Sequence, residues 1–169
     1  MKKLMLAILA AMLLIANSAY AASTLEDADK AYASKNYAEA IKIYKALALN
    51  GNESAQLQLA NMYENGDGAI QDYVEAFKWY KLAAEQDSAS ALMNLGDMYE
   101  NGHGVTKDLI KAHMWYNLAG AHGGEFAEEH RDLDAKKYRN LVAKEMTQKQ
   151  ISQAQKLAVE CLARKYKDC

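Results

Sequence analysis

One stretch of this chain occurs twice, and the duplication limits what the rest can become. Residues 54–89 and 90–125 align without a gap at an offset of 36, and 15 of the 36 aligned positions are identical. A period of this length is that of a helical repeat array. Each unit is a helix pair with an apolar face that it cannot bury alone, so units must stack.

The apolar spacing inside the unit is helical. In the first copy, helix A is expected over 53–65, with Ala55, Leu59, Met62 and Tyr63 on one stripe. Gly66-Asp67-Gly68 breaks it. Asp72 is placed to cap helix B, expected over 73–86, and Glu75 three residues on suits a capping box. The second copy repeats this with helix A over 88–101, the break Gly102-His103-Gly104, Asp108 as cap, helix B over 109–122, and Gly123-Gly124 after it. Helix B offers Ala76, Trp79, Tyr80 and Ala83. Trp79 and Trp115 read as core, since an aromatic of that size contributes about 2–3 kcal/mol on burial.

The register extends in both directions. Tyr37, Ala40 and Tyr44 stand 36 residues before Tyr73, Ala76 and Tyr80. Helices over 26–33 and 37–50, the second closed by Gly51, therefore form an atypical first unit, 26–53, with a shorter turn. Ala127 keeps the register downstream, but Arg131 and Asp132 replace the expected Leu and Gly. Helices over 125–144 and 148–165, the latter started by a Thr147/Gln150 capping box, should cover the last repeat. The organisation expected is a signal segment at 1–21, a repeat array at 22–124 and a C-terminal capping pair at 125–169. The fold class is all-α, an α/α superhelical solenoid. The absence of proline favours its long helices.

The N-terminus carries an address. Lys2 and Lys3 precede an unbroken apolar run over 4–15, too short to span a bilayer as a helix. Ala19-Tyr20-Ala21 then offers a small-residue cleavage site. This is the pattern of a secretory signal peptide cut after Ala21. No cysteine lies near the cut to accept a lipid. The product is expected in the periplasm or outside the cell, with no membrane insertion. The formal charge of −2 becomes −4 without the two lysines. A mildly acidic chain without a basic cluster is a poor nucleic-acid binder.

Chemistry-bearing residues are sparse. Cys161 and Cys169 make an even count, which in an exported chain suggests a disulfide. A continuous helix would hold them about 12 Å apart, beyond the roughly 7 Å limit for a bridge. Pairing thus requires the last helix to end near 165–167 and the tail to fold back; free thiols are the alternative. A redox pair lacks its Cys-x-x-Cys. His103, His113, His122 and His130 form no metal-ligand spacing. His103 takes the loop place of Asp67, and His113 that of Phe77. The Asn-Gly-x-Gly loops lack both the Lys-Ser/Thr of a P-loop and the carboxylates of an EF-hand, so they read as turns. Neither Ser-x-x-Lys nor Gly-x-Ser-x-Gly occurs. No cofactor, metal or catalytic residue is assigned, and the chain is expected not to be an enzyme.

The pattern Ala-x-x-x-Leu-(Gly/Ala)-x-Met-Tyr-Glu-Asn-Gly-x-Gly, then Asp-x-x-x-Ala-x-x-Trp-Tyr-x-x-Ala, resembles the Sel-one-like repeat, a relative of the tetratricopeptide repeat. Residues 28–53 match only in their second helix, where Ile43 stands at the Trp position. The segment MTQKQISQAQKLA resembles the close of many bacterial exported members. The resemblance implies a superhelical adaptor for protein–protein interaction, in envelope signalling, regulation or host contact. By tetratricopeptide analogy, helices A line the concave side. Leu57, Asn61, Glu64 and Asn65, with Met93, Asp97, Glu100 and Asn101, then face a partner, and Asp29 and Tyr32 take the corresponding places in the first unit. Amides there would clamp an extended peptide, and carboxylates would favour a basic partner. Some cysteine-rich members have been linked to β-lactams, which leaves a β-lactam or peptidoglycan-acting hydrolase or binding protein as the alternative. Those members carry a disulfide in each repeat, and this chain has no cysteine in its repeats.

Overall fold

The computed structural model describes residues 24–121 and 129–169, the latter with side chains from residue 134 onward. The expected signal segment, His122, Gly123-Gly124 and Ala127 lie outside the described residues, as do the side chains of His130, Arg131 and Asp132. Among the described residues, eight helices follow one another and no strand occurs. They are α1 (Leu25–Ala33), α2 (Tyr37–Leu49), α3 (Glu53–Asn65), α4 (Tyr73–Ala84), α5 (Ala89–Asn101), α6 (Leu109–Ala121), α7 (Glu129–Ala143) and α8 (Gln148–Ala163). From α1 to α7 each helix packs on the next, and α8 packs back on α6. The chain is a helical-repeat solenoid.

Local chemistry sets the boundaries. Asn52 accepts from the backbone N–H of Ala55, Asp72 from that of Glu75, and Asp108 from those of Ile110 and Lys111. Such caps satisfy the orphan N–H groups of a first helical turn. The reciprocal half of the expected Asp72/Glu75 box is replaced: the Glu75 carboxylate instead takes Lys78, 2.7 Å away on the next turn. Thr24 with Asp27 and Thr147 with Gln150 do form complete capping boxes.

The two glycines of each Gly-x-Gly loop have different jobs. Gly66 and Gly102 end α3 and α5 in the left-handed conformation, at φ 78° and 77°, and donate to the carbonyls of Met62 and Met98. A residue without Cβ adopts this at little cost. Gly68 and Gly104 serve contact between repeats. A Cβ on Gly68 would lie 2.5 Å from the Cβ of Tyr37, and one on Gly104 would lie 2.4 Å from the carbonyl oxygen of Tyr73. Each loop is thus seated on the start of helix B of the preceding unit.

The core runs along the stack. Tyr44, Leu59, Met62, Tyr80, Leu92, Leu95, Met98, Trp115 and Tyr116 are buried, and Trp79 nearly so. The indole nitrogens of Trp79 and Trp115 are buried without a hydrogen-bond partner, so the rings fill volume rather than bind through a polar edge. Ile43 is buried at the same place in the first unit. Tyr63 is only half-buried, although its equivalent Tyr99 is buried. Tyr99 meets the Phe77 ring edge-on at 5.7 Å. Ile41, the equivalent of Phe77, gives Tyr63 no such aromatic edge.

The chain end is fastened down. Helix α8 stops at Ala163, and Lys165, Tyr166 and Asp168 turn the backbone at φ 51°, 61° and 54°. Cys161 and Cys169 form a disulfide with Cα atoms 5.6 Å apart. Within this loop Tyr166 is 3% exposed. Its hydroxyl donates to Asp87 at 2.6 Å, and Lys81 Nζ donates to its carbonyl at 3.4 Å. Among the described residues, no helix is long and apolar enough to cross a membrane.

Candidate functional site

The same buried tyrosine recurs in each helix B and reaches the neighbouring helix A. Tyr44 donates to Asp29 at 2.5 Å. Tyr80 donates to Glu64 at 2.5 Å and Asn61 at 2.6 Å. Tyr116 donates to Glu100 at 2.7 Å. Burial, and next the bonded carboxylate, raise all three phenols far above the usual tyrosine range. They remain neutral donors at any physiological pH. The acids and the amide are thereby held in fixed positions on the helix-A face.

The positions singled out on that face remain reachable from solvent. Asp29, Asn65 and Asn101 are exposed; Leu57, Asn61, Glu64, Met93, Asp97 and Glu100 are half-buried. Asn101 donates its side-chain amide to Asp97 at 3.0 Å. Tyr32 stands apart, because its hydroxyl donates across the first junction to Asp67 at 2.8 Å and its ring lies against Tyr37. It joins units as well as lining the face.

At the second junction the structure brings together Glu64, Asp97 and a residue from the loop, His103. The His103 ring is stacked on Tyr73, with centroids 4.4 Å apart. Sequence reasoning places His103 in a turn and leaves it there. The signal available was its alignment with Asp67, which does not reveal which residue of the neighbouring unit it meets. His113, at the place of Phe77 in the register, is packed: it is 3% exposed, and its Nδ1 is buried without a partner. Burial, with the Arg139 charge second, pushes its pKa below the usual histidine value.

Comparison with known proteins places this architecture. The Sel1 repeat profile matches residues 10–52, 53–88 and 89–124. The chain belongs to the Sel1 repeat family. The first matched Sel1 unit begins inside the apolar N-terminal run, and the other two start one residue before the copies read from the sequence. A crystal structure of a protective antigen present in uropathogenic Escherichia coli strains, displaying the SLR fold, superposes with a TM-score of 0.72 at 25% identity. It covers 83% of this chain, which spans only 30% of that protein. A Sel1 repeat protein from Oxalobacter formigenes is 33% identical over 50% of this chain and 64% of its own, with a TM-score of 0.49. No curated protein matches the sequence at a significant level. Sel1 repeat proteins generally mediate protein–protein interaction, and the fold is typically a non-enzymatic scaffold.

Proposed function

We propose that this chain is an exported Sel1 adaptor that holds a protein or peptide segment along its helix-A face, the concave side of the superhelix. The observation carrying this reading is the tyrosine ladder. Tyr44, Tyr80 and Tyr116 fix Asp29, Asn61, Glu64 and Glu100 before any partner arrives. Groups already ordered lose little further entropy on binding. The amide of Asn61 and the carboxylates of Glu64, Asp97 and Glu100 suit the backbone and the Lys or Arg side chains of an extended, basic segment. Leu57 and Met93 add small apolar contacts.

Export is supported by the signal-like start and by the Cys161–Cys169 disulfide, which belongs to an oxidising compartment. The similar E. coli protein is a protective antigen, which favours a role at the surface a host meets over one in envelope signalling or regulation. The test is affinity capture with the mature chain on an envelope extract, followed by the triple variant Glu64→Gln, Asp97→Asn, Glu100→Gln. The captured partner should be lost, while far-UV circular dichroism stays unchanged. A partner retained at equal affinity would remove the helix-A face from consideration. Hydrolysis of a chromogenic β-lactam above background would overturn the adaptor reading itself.

A further inference from the structure

Three segments converge where the second repeat meets the third. Glu64 comes from the last turn of α3, Asp97 from the middle of α5, and His103 from the loop after α5. One ligating atom from each lies within 4.8 Å of the other two. All three residues are half-buried. Tyr80 occupies one carboxylate oxygen of Glu64, and Asn101 one oxygen of Asp97, so each acid keeps a second oxygen. Among the described residues, no Lys or Arg forms an ion pair with either acid. The Tyr73 ring fixes the plane of the imidazole, and His103 Nδ1 is buried without a hydrogen-bond partner. A buried, unpaired ring nitrogen is unfavourable on its own.

The preceding junction provides an internal control. Counted from the helix ends, Tyr32 takes the place of Glu64 there; by the repeat register, Asn61 takes that of Asp97 and Asp67 that of His103. That junction is closed by the Tyr32–Asp67 hydrogen bond at 2.8 Å. One repeat later, the phenol has become a carboxylate, the amide a carboxylate and the carboxylate an imidazole. Three residues, two of them joined by a hydrogen bond, are thus replaced by three metal-ligating groups.

We propose that Glu64, Asp97 and His103 bind a single divalent transition-metal ion of the zinc type. Carboxylate and imidazole ligands sit about 2.0–2.2 Å from zinc, so ligand atoms in one shell lie roughly 3–4 Å apart. Closing from 4.8 Å needs only a small inward movement of each side chain. The imidazole selects zinc-type ions over magnesium and calcium, which prefer oxygen alone. Three protein ligands leave a position for water or for a donor group of a bound partner.

The test is calorimetric titration of untagged, metal-stripped protein with zinc chloride, with calcium chloride as control. One zinc ion per chain should bind, raising the melting temperature, and calcium should give no comparable binding. Asp97→Asn places at this junction the residue that Asn61 supplies at the preceding one, so it should fold; His103→Ala removes the nitrogen. Each should weaken zinc binding by about tenfold or more, with an unchanged circular dichroism spectrum of the metal-free protein. No stoichiometric zinc binding by the wild type overturns the proposal. So does binding that survives both substitutions, because it would then belong to His113, His122 or His130.

Discussion

The two glycines of the third-repeat loop allow a strain effect to be separated from a docking effect. Gly102 and Gly104 have nearly the same backbone conformation, φ 77° and 69°. An L-residue in that region costs about 1–2 kcal/mol, so Gly102→Ala and Gly104→Ala share that cost. They differ in what the new methyl meets. At Gly102 the nearest atoms are 3.4 Å away, an ordinary contact. At Gly104 they are the carbonyl oxygen and carbon of Tyr73, at 2.4 and 2.5 Å. Those are backbone atoms on the first turn of α4 and cannot rotate aside. Relieving the overlap means lifting the loop off the neighbouring repeat, and overpacking of this kind costs about 1–3 kcal/mol more. Gly102→Ala should therefore lose about 1–2 kcal/mol and Gly104→Ala about 2–5 kcal/mol, with the gap between them set by the overlap with Tyr73. Urea titration followed by far-UV circular dichroism measures both, provided the transition stays two-state. Equal losses in the two variants would show that the loop is not clamped against Tyr73.

Three other perturbations follow from the packing. Tyr80→Phe removes one hydroxyl and leaves two half-buried acceptors that water can reach, so it should cost about 1–2 kcal/mol; unchanged urea stability would mean that the hydroxyl is not fixing Glu64 and Asn61. The His113 pKa is lowered in the folded chain, so the unfolded chain binds the proton first. Stability should then fall as pH drops below about 6.5, and His113→Phe, matching Phe77, should flatten that part of the profile between pH 7 and 5. Cys169→Ser opens a loop of eight-residue separation, which the chain-entropy relation rates at about 2–3 kcal/mol. Hydrogen exchange should quicken at the end of α8 and around Tyr166, and leave α3 to α5 protected; uniform loosening of the repeats would refute a clamp confined to the cap.

What could be read from the sequence was whatever depends on near neighbours in the chain. The spacing of Ala76, Trp79, Tyr80 and Ala83 places one face of α4, and Asp72, Asp108 and Thr147 mark helix starts, because a cap is decided within four residues. The distance between Cys161 and Cys169 also forces the last helix to stop early if they pair, and it stops at Ala163. The losses are at contacts between units. Glu75 could serve the Asp72 cap or Lys78, both within three residues, and spacing does not rank them. Tyr63 and Tyr99 share a register but differ in burial, and Tyr99 has against it a ring of the preceding unit, Phe77. The His103 contact with Tyr73 joins positions 30 residues apart in the sequence, and no motif encodes it.

That division bears on where specificity in such a chain resides. Tyr80 and Tyr116 are identical, and each donates to the glutamate sixteen residues before it. The positions that repeat therefore give the second and third units the same internal frame. The positions that change between copies include Asn61 and Asp97, and Asp67 and His103. They fall where a helix A and the following Gly-x-Gly loop approach the unit before. A substitution there need not satisfy the core, because these side chains are half-buried. It is constrained by the opposing residue, as Tyr32 with Asp67 illustrates. Two or three such changes leave the solenoid intact and convert a closed junction into one that presents two carboxylates and an imidazole. Chemistry in this protein is set junction by junction, and a reading of the repeat consensus alone passes over it.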